Sequence, residues 1–314
     1  MTKKVSYLII TWNNADVIEE CIDTLFKFSS VENEVIIVDN ASTDDTCNVI
    51  RGRYGSKVLL IEPGENLGFS KGNNLALQHA TGEYIFFVNP DVVFVEDIVS
   101  PMIRLLDTHP EIGIVSPRLL NADNSYQVST CNFPGVKKVF WDDLQLYRFL
   151  PPQKRKIYAQ AQYREEDDRF VDWSHGAAHF CRYADVAKVG GYPVGYFMYG
   201  EDTEFCMQME HKLGLKTYYL GQSRLIHLGG YSEKQVLNSK KIVYGTNAGM
   251  FFVTKYYGKQ SLLPYRIILF AAGFIKYIIY SIKCIFTNSI KDQNSKLKWG
   301  TSWKTVLRYR GEQN

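Results

Sequence analysis

Three acidic sites and one histidine in this chain stand where a reaction could use them. Asp39 closes the run Glu34–Val38 (EVIIV) and opens Asp39-Asn40-Ala41-Ser42-Thr43-Asp44. A carboxylate at a strand end can accept hydrogen bonds from a base or a ribose. A helix cap and turn would explain Ser42 and Asp44 well, and Asp39 less well. Asn89-Pro90-Asp91 follows the apolar run Glu83–Val88 (EYIFFV). An acid at that edge could hold a divalent cation bridging two phosphates, because Mg²⁺ takes one or two carboxylates beside substrate phosphates. Asn-Pro-Asp is also a good turn. Gly200-Glu201-Asp202 precedes the helical stretch Thr203–Lys212. Acids in a first helical turn favour the macrodipole; one of them could equally serve as general base on a hydroxyl nucleophile. His227 follows Leu225-Ile226, where a lone histidine is more often structural. Gly229-Gly230 and Ser232 after it form a turn suited to closing around phosphate.

The elements that must position these residues alternate. Val5–Thr11, Glu34–Val38, Lys57–Ile61 and Glu83–Val88 read as strands, and Asp16–Phe28, Thr43–Arg53 and Ser70–Ala80 as helices. Such alternation implies βαβ units and a largely parallel sheet. Ligands bind such sheets beyond the carboxyl ends of the strands. The polar clusters Thr11–Asn14, Asp39–Asp45, Glu65–Asn74 and Asn89–Asp91 fall at those ends. No G-x-G-x-x-G follows the first strand and no P-loop motif occurs, so dinucleotide and P-loop readings lose their main support. Residues 118–172 are irregular, with Pro134, Pro151-Pro152, the basic run Lys154–Lys156 and the acidic run Glu165–Asp168. They read as a mobile segment over the sheet edge, a lid or acceptor loop.

Charge is unevenly spread. The net charge is +3, yet residues 255–314 carry 11 Lys+Arg against 2 Asp+Glu, and the rest of the chain 25 against 31. A basic tail on an acidic body argues against a nucleic-acid binder and for contact with an anionic surface. Within the tail, Leu262–Phe286 is strongly apolar, and Arg266, Gly273, Lys276, Tyr280 and Lys283 share one narrow helical stripe. That is the form of one helix, or two short ones, lying in a membrane interface. Trp299 and Trp303, among Lys296, Lys298 and Lys304, read as an interfacial anchor. The six cysteines include no C-x-x-C pair and read as reduced thiols.

The ordered set Thr11-Trp12-Asn13, Asp39–Asp44, Glu65-Asn66-Leu67-Gly68-Phe69 with Gly72-Asn73-Asn74, Asn89-Pro90-Asp91, Gly176-Ala177 with Arg182, Glu201-Asp202, and His227 with Gly230 and Ser232 resembles glycosyltransferase family 2. Within it the set is similar to the bacterial rhamnosyltransferase-like branch. The motifs run in family order over residues 5–232. The resemblance implies the α/β GT-A fold: a Rossmann-like, mostly parallel central sheet, here with a C-terminal amphipathic helical extension. Residues 1–254 would form the catalytic domain, with 1–117 as its nucleotide-binding half and 118–254 as its acceptor-binding and catalytic half. Residues 255–314 would form the membrane-associating region.

The resemblance also implies roles. Thr11, Asn13 and Asp39 would hold the nucleoside, and Asn66, Gly68 and Asn73 would shape the base and ribose pocket. Asp91 matches the metal-binding acid of the family's DxD motif, whose first acid is here Asn89, so Asp91 would work without a second carboxylate. Asp202 matches the catalytic base and Glu201 its neighbour. His227 matches the histidine that helps the metal or diphosphate, and Gly176 and Ala177 the loop beside donor sugar and acceptor. The expected activity is inverting, Mg²⁺- or Mn²⁺-dependent transfer of L-rhamnose from dTDP-β-L-rhamnose to a lipid-diphosphate-linked saccharide, for bacterial surface polysaccharide. The expected place is the cytoplasmic membrane face, peripherally held, with a homo-oligomer left open. A UDP-hexose or UDP-N-acetylhexosamine donor stays open. A non-catalytic sugar-nucleotide-binding scaffold also stays open, although Asp91, Glu201, Asp202 and His227 together speak against it.

Overall fold

The computed structural model describes residues 4–158, 164–196, 199–229, 238–287 and 289–311. The chain divides into two compact units. One comprises Met1–Cys131, Tyr163–Val194 and Glu201–Gln235; the other comprises Asn132–Gln162, Gly195–Gly200 and Val236–Asn314.

The first unit is built on a ten-stranded sheet. Its strands are β1 (Lys4–Thr11), β2 (Glu32–Asp39), β3 (Leu59–Ile61), β4 (Tyr84–Val88), β5 (Val92–Phe94), β6 (Ile112–Leu120), β7 (Tyr126–Gln127), β9 (Arg169–Val171), β11 (Ala178–Arg182) and β12 (Lys216–His227). The short strands β8 (Thr130–Cys131) and β10 (Trp173–Ser174) pair separately. The main order is β3-β2-β1-β4-β11-β6-β12-β5, with β7 on β6 and β9 on β12. From β3 to β4 the ladders are parallel, as the alternation predicts. Beyond β4 the sheet is mixed: β11 runs antiparallel to both β4 and β6, while β6 and β12 are parallel.

The sequence explains the parallel half. β1 and β4 are apolar almost throughout and nearly all buried, as strands covered on both faces must be. The helix Ile18–Phe28 turns Ile18, Cys21, Ile22 and Leu25 into the core at helical spacing. Tyr7, Phe86, Phe94 and Phe180 meet at the centre in edge and tilted ring contacts. The helix Gly68–Leu77 begins two residues before the expected start, and Thr46–Tyr54 begins three residues after it. The delay at Thr46 has a cause: Asp44 accepts the Thr46 N–H and hydroxyl, so an Asx turn precedes the helix.

The second unit carries the helices Asn238–Tyr257, Lys259–Phe286 and Ile290–Arg308. The first of these runs across residue 254, the boundary suggested by the charge step. Met250, Val253, Tyr265, Leu269, Val306 and Tyr309 form the core of this unit with Val139. Part of the irregular segment therefore packs here, and the rest supplies sheet strands. Lys259–Phe286 is one helix and is long and apolar enough to cross a membrane by length and composition.

Arg266 and Lys276 of its polar stripe face inward, while Lys283 is exposed. Arg266 donates to the Val306 carbonyl at 2.7 Å, and Lys276 sits 4.0 Å over the Trp299 ring. Trp303 packs among Phe270, Phe274 and Tyr277, so neither tryptophan is a free anchor. The outward stripe is Leu263, Ile267, Ile278, Ile282 and Ile285, all exposed and uninterrupted by charge.

Candidate active site

The strand ends of the first unit carry two groups of side chains. The first group surrounds Asp39. Parallel pairing of Thr11 with Asp39 sets the two strand ends side by side. Asn13, at φ +52°, turns back to meet the next loop: its N–H donates to Ser42 Oγ at 2.8 Å, and its Oδ1 accepts the Thr43 N–H at 2.7 Å. Thr11 Oγ1 donates to Asn14 Oδ1 at 3.1 Å. Asp39 is buried and accepts from the Ser42 N–H at 2.9 Å and from its hydroxyl. Thr11 and Asn13 thus scaffold the loops, and Asp39 is the acidic end they enclose. Cys47 lies against Asp39 and Glu62; burial first, then these acids, push its thiol up to about 12.

The nearby residues divide. Asn66 is exposed and its Oδ1 accepts the Gly68 N–H at 2.9 Å, which opens the helix Gly68–Leu77. Asn40 bridges to that turn through Leu67 N and Gly68 O. Asn73 is buried and bonds to Phe69 O in its own helix.

The second group begins at Asp91, a buried acid just beyond β4. His227, the last residue of β12, lies beside it: Nε2 is 3.3 Å from Asp91 Oδ1 and 3.4 Å from Asn89 Nδ2. Antiparallel pairing of His227 with Val92 and a Leu228 N–H to Asp91 O bond of 2.9 Å fix this approach. His227 Nδ1 is 2.7 Å from Gln127 Oε1. The Gln127 amide nitrogen donates to Asn121 Oδ1 and His227 O, so Oε1 must face the ring. An amide oxygen only accepts. Nδ1 therefore carries a proton, which in the neutral ring leaves the Nε2 lone pair toward Asp91.

That tautomer fits a metal ligand, with Gln127 as its orienting partner. Among the described residues no group of three or more His, Cys, Asp or Glu gathers to hold a metal. Asp91 and His227 would supply two ligands and leave the others to phosphate, which suits Mg²⁺ or Mn²⁺. Gly230 and Ser232, expected to close this site, lie outside the described residues.

Asp202 sits in the first turn of the helix Glu201–Leu213. Its Oδ2 accepts the Gly176 N–H at 3.3 Å and its Oδ1 the Thr203 N–H at 2.7 Å. Gly176 is a close approach: an added Cβ would lie 3.3–3.5 Å from Tyr192, Asp202 and Phe69. Ala177 O accepts the Asn89 N–H at 3.0 Å. Gly176-Ala177 thereby joins the Asp91 turn to Asp202. Glu201 Oε2 is sealed from solvent, with no hydrogen-bond partner among the described residues. Burial first and the Asp202 charge second push its carboxyl up to about 8.

Spacing in the sequence offered no signal for Gln127, which lies in the irregular segment, or for His179 and Tyr192, which hydrogen-bond each other beside Gly176.

Comparison with known proteins follows the same lines. The sequence profile of "Glycosyl transferase family 2" matches residues 6–181. Rhamnosyltransferase WbbL of Escherichia coli (strain K12) is 24% identical over 240 residues, covering 73% of this chain and 85% of that protein. N-acetylglucosaminyl-diphospho-decaprenol L-rhamnosyltransferase of Mycobacterium tuberculosis (strain ATCC 25618 / H37Rv) is 23% identical over 243 residues, covering 74% and 78%. The solved structure of mannosyltransferase PcManGT from Pyrobaculum calidifontis, in complex with GDP-Man and Mn²⁺, superposes with a TM-score of 0.60 at 15% identity, covering 98% of this chain and 87% of that one.

Proposed function

The chain belongs to glycosyl transferase family 2 and is a glycosyltransferase of the GT-A fold; from that premise we propose that it transfers L-rhamnose, with inversion, from dTDP-β-L-rhamnose to a hydroxyl of a lipid-diphosphate-linked saccharide. The observation that carries the reading is the Gly176-Ala177 junction. It holds Asp202 on one side and, through Asn89, the Asp91–His227 pair on the other. Single-displacement inversion asks for these two things: a base behind the sugar and an electrophilic grip on the leaving diphosphate.

In this reading the acceptor oxygen attacks the anomeric carbon while the bond to the dTDP oxygen breaks. Asp202 takes the hydroxyl proton, and neutral Glu201 keeps a second charge away from it. Asp91 and His227 would hold a divalent cation, Mg²⁺ or Mn²⁺, which when bound neutralises charge on the leaving diphosphate. Asp39, with Thr11 and Asn13 behind it, would meet the nucleoside; Asn66, Gly68 and Asn73 would border the base and ribose. Rhamnose as the sugar is supported by the two rhamnosyltransferase relatives, and a lipid diphosphate as the acceptor class by the decaprenol one. Incubation with dTDP-rhamnose, UDP-hexoses and UDP-N-acetylhexosamines, and a polyprenyl-diphosphate saccharide, tests the donor by product mass. A rhamnosyl increment is expected. A hexosyl increment alone would replace the donor and keep the mechanism; no increment with any donor would favour the scaffold reading.

The lipid-linked acceptor places the reaction at a bilayer, and we read the helix Lys259–Phe286 as lying in the interface. The supporting observation is its outward stripe, apolar from Leu263 to Ile285 while Arg266 and Lys276 stay engaged within the helical unit.

A further inference from the structure

A buried hydrogen bond joins two residues that the reaction above does not use. The Tyr192 hydroxyl lies 2.8 Å from His179 Nδ1. The other ring nitrogen, His179 Nε2, lies 3.1 Å from the Ser174 carbonyl oxygen and 3.0 Å from the Ser174 hydroxyl. A carbonyl only accepts, so Nε2 carries the proton and Nδ1 accepts from Tyr192. Burial keeps the ring neutral by pushing its pKa down to about 4, against the pull of Asp202. The arrangement is therefore the same throughout the neutral range.

Everything around the bond restricts it. Both side chains are fully buried. The Tyr192 ring stacks on Phe205 at 4.4 Å and meets Phe87 and Phe69 edge-on. Asn74 clamps the Tyr192 backbone from both sides, accepting its N–H at 2.8 Å and donating to its carbonyl at 2.8 Å. Gly191 allows that clamp: its φ is +78°, and an added Cβ would run into Asn74 Oδ1.

The network ends at the junction that holds the site together. A Cβ on Gly176 would lie 3.3 Å from the Tyr192 hydroxyl and 3.4 Å from Asp202 Cβ, so the phenol and the carboxylate flank one backbone point. The Gly176 N–H reaches Asp202, and Ala177 O receives the Asn89 N–H. His179 sits two residues further on, in β11, paired with Phe87 of β4.

We infer that Tyr192 and His179 are positioning residues, whose hydrogen bond fixes Gly176-Ala177 and through it the placement of Asp202 relative to the Asn89–Asp91 turn. The inference rests on the reading of Asp202 as general base. A displacement of about 1 Å at a reacting group can cost about 10²-fold in rate, so a lost phenol oxygen should be visible in turnover.

The test uses the full chain with Tyr192→Phe, and with Tyr192→Phe and His179→Leu together. The single change strands a buried acceptor and should lower the melting temperature; the double change removes that acceptor with its donor but frees the Ser174 carbonyl, so it should recover only part of that loss. Expected is a fall in kcat of about tenfold or more in both, with KM for dTDP-rhamnose changed by less than about twofold. Recovery of kcat along with melting temperature in the double variant would make the network merely structural and overturn the inference. Parent-like kcat in Tyr192→Phe would do the same. If Tyr192→Phe fails to fold, the double variant decides alone. Because the measure is the ratio of variant to parent, a parent inert with dTDP-rhamnose would count against the donor reading instead, and the ratio would then be taken with the donor the parent uses.

Discussion

His227 Nδ1 lies 2.7 Å from Gln127 Oε1, although 100 residues separate the two. The bond fixes which imidazole nitrogen faces Asp91, because Gln127 spends its amide hydrogens on Asn121 and the His227 carbonyl. Gln127→Leu should leave the fold intact and release the ring. Loss of such an orienting partner typically weakens metal binding by about 10–100-fold. The Mn²⁺ concentration for half-maximal transfer should rise accordingly. An unchanged Mn²⁺ requirement would mean that Gln127 does not set the ring.

Asp202→Asn keeps the size of the side chain, and its one amide oxygen can still accept from Gly176 or Thr203. It cannot take a proton. Loss of a general base costs about 10²–10⁴-fold in rate, and kcat should fall by that much while the variant stays folded. Near-normal turnover of the folded variant would remove Asp202 from the role.

Glu201 predicts a pH dependence of stability. Its carboxyl stands at about 8 in the folded chain against an ordinary 4.5. Between these values the unfolded chain releases the proton and the folded chain keeps it. Stability is therefore lost as pH rises through that window, and the loss levels off above the folded value. Glu201→Gln removes the titration. The stability gained over the parent in urea melts should grow from pH 5 to pH 8. A difference that is flat across that range would contradict the buried, neutral carboxyl.

Ile267, Ile278 and Ile282 lie on the charge-free stripe. Full burial of one such side chain is worth about 1.5–3 kcal/mol. Serine at all three positions should lower the partition of the full chain onto anionic vesicles by about tenfold or more. The parent should stay bound through a high-salt wash, since apolar contacts are not screened. A parent that ignores vesicles but sediments as a dimer would assign the stripe to a second copy instead.

The parallel half of the sheet was readable because buried strands and amphipathic helices each leave a period in the sequence, and the strand-end clusters fell where the topology puts a ligand. The second half was not. β11 inserts antiparallel between β4 and β6, a pairing across about 90 residues that no local pattern encodes. The same distance hid Gln127 and Tyr192, whose roles exist only once β12 and β11 are in place. On the helix Lys259–Phe286 the stripe of Arg266, Lys276 and Lys283 was visible from spacing. The inward direction of Arg266 and Lys276 was not, because their partners, Val306 and Trp299, belong to the following helix.

The reaction we propose is inverting rhamnosyl transfer helped by a cation at Asp91 and His227. Nuclear magnetic resonance of the product formed from dTDP-β-L-rhamnose and a polyprenyl-diphosphate saccharide, with and without exhaustive chelation, tests it most directly. The account predicts an α-L-rhamnoside and no product once the cation is removed. A β-L-rhamnoside, or α product undiminished by chelation, would contradict it.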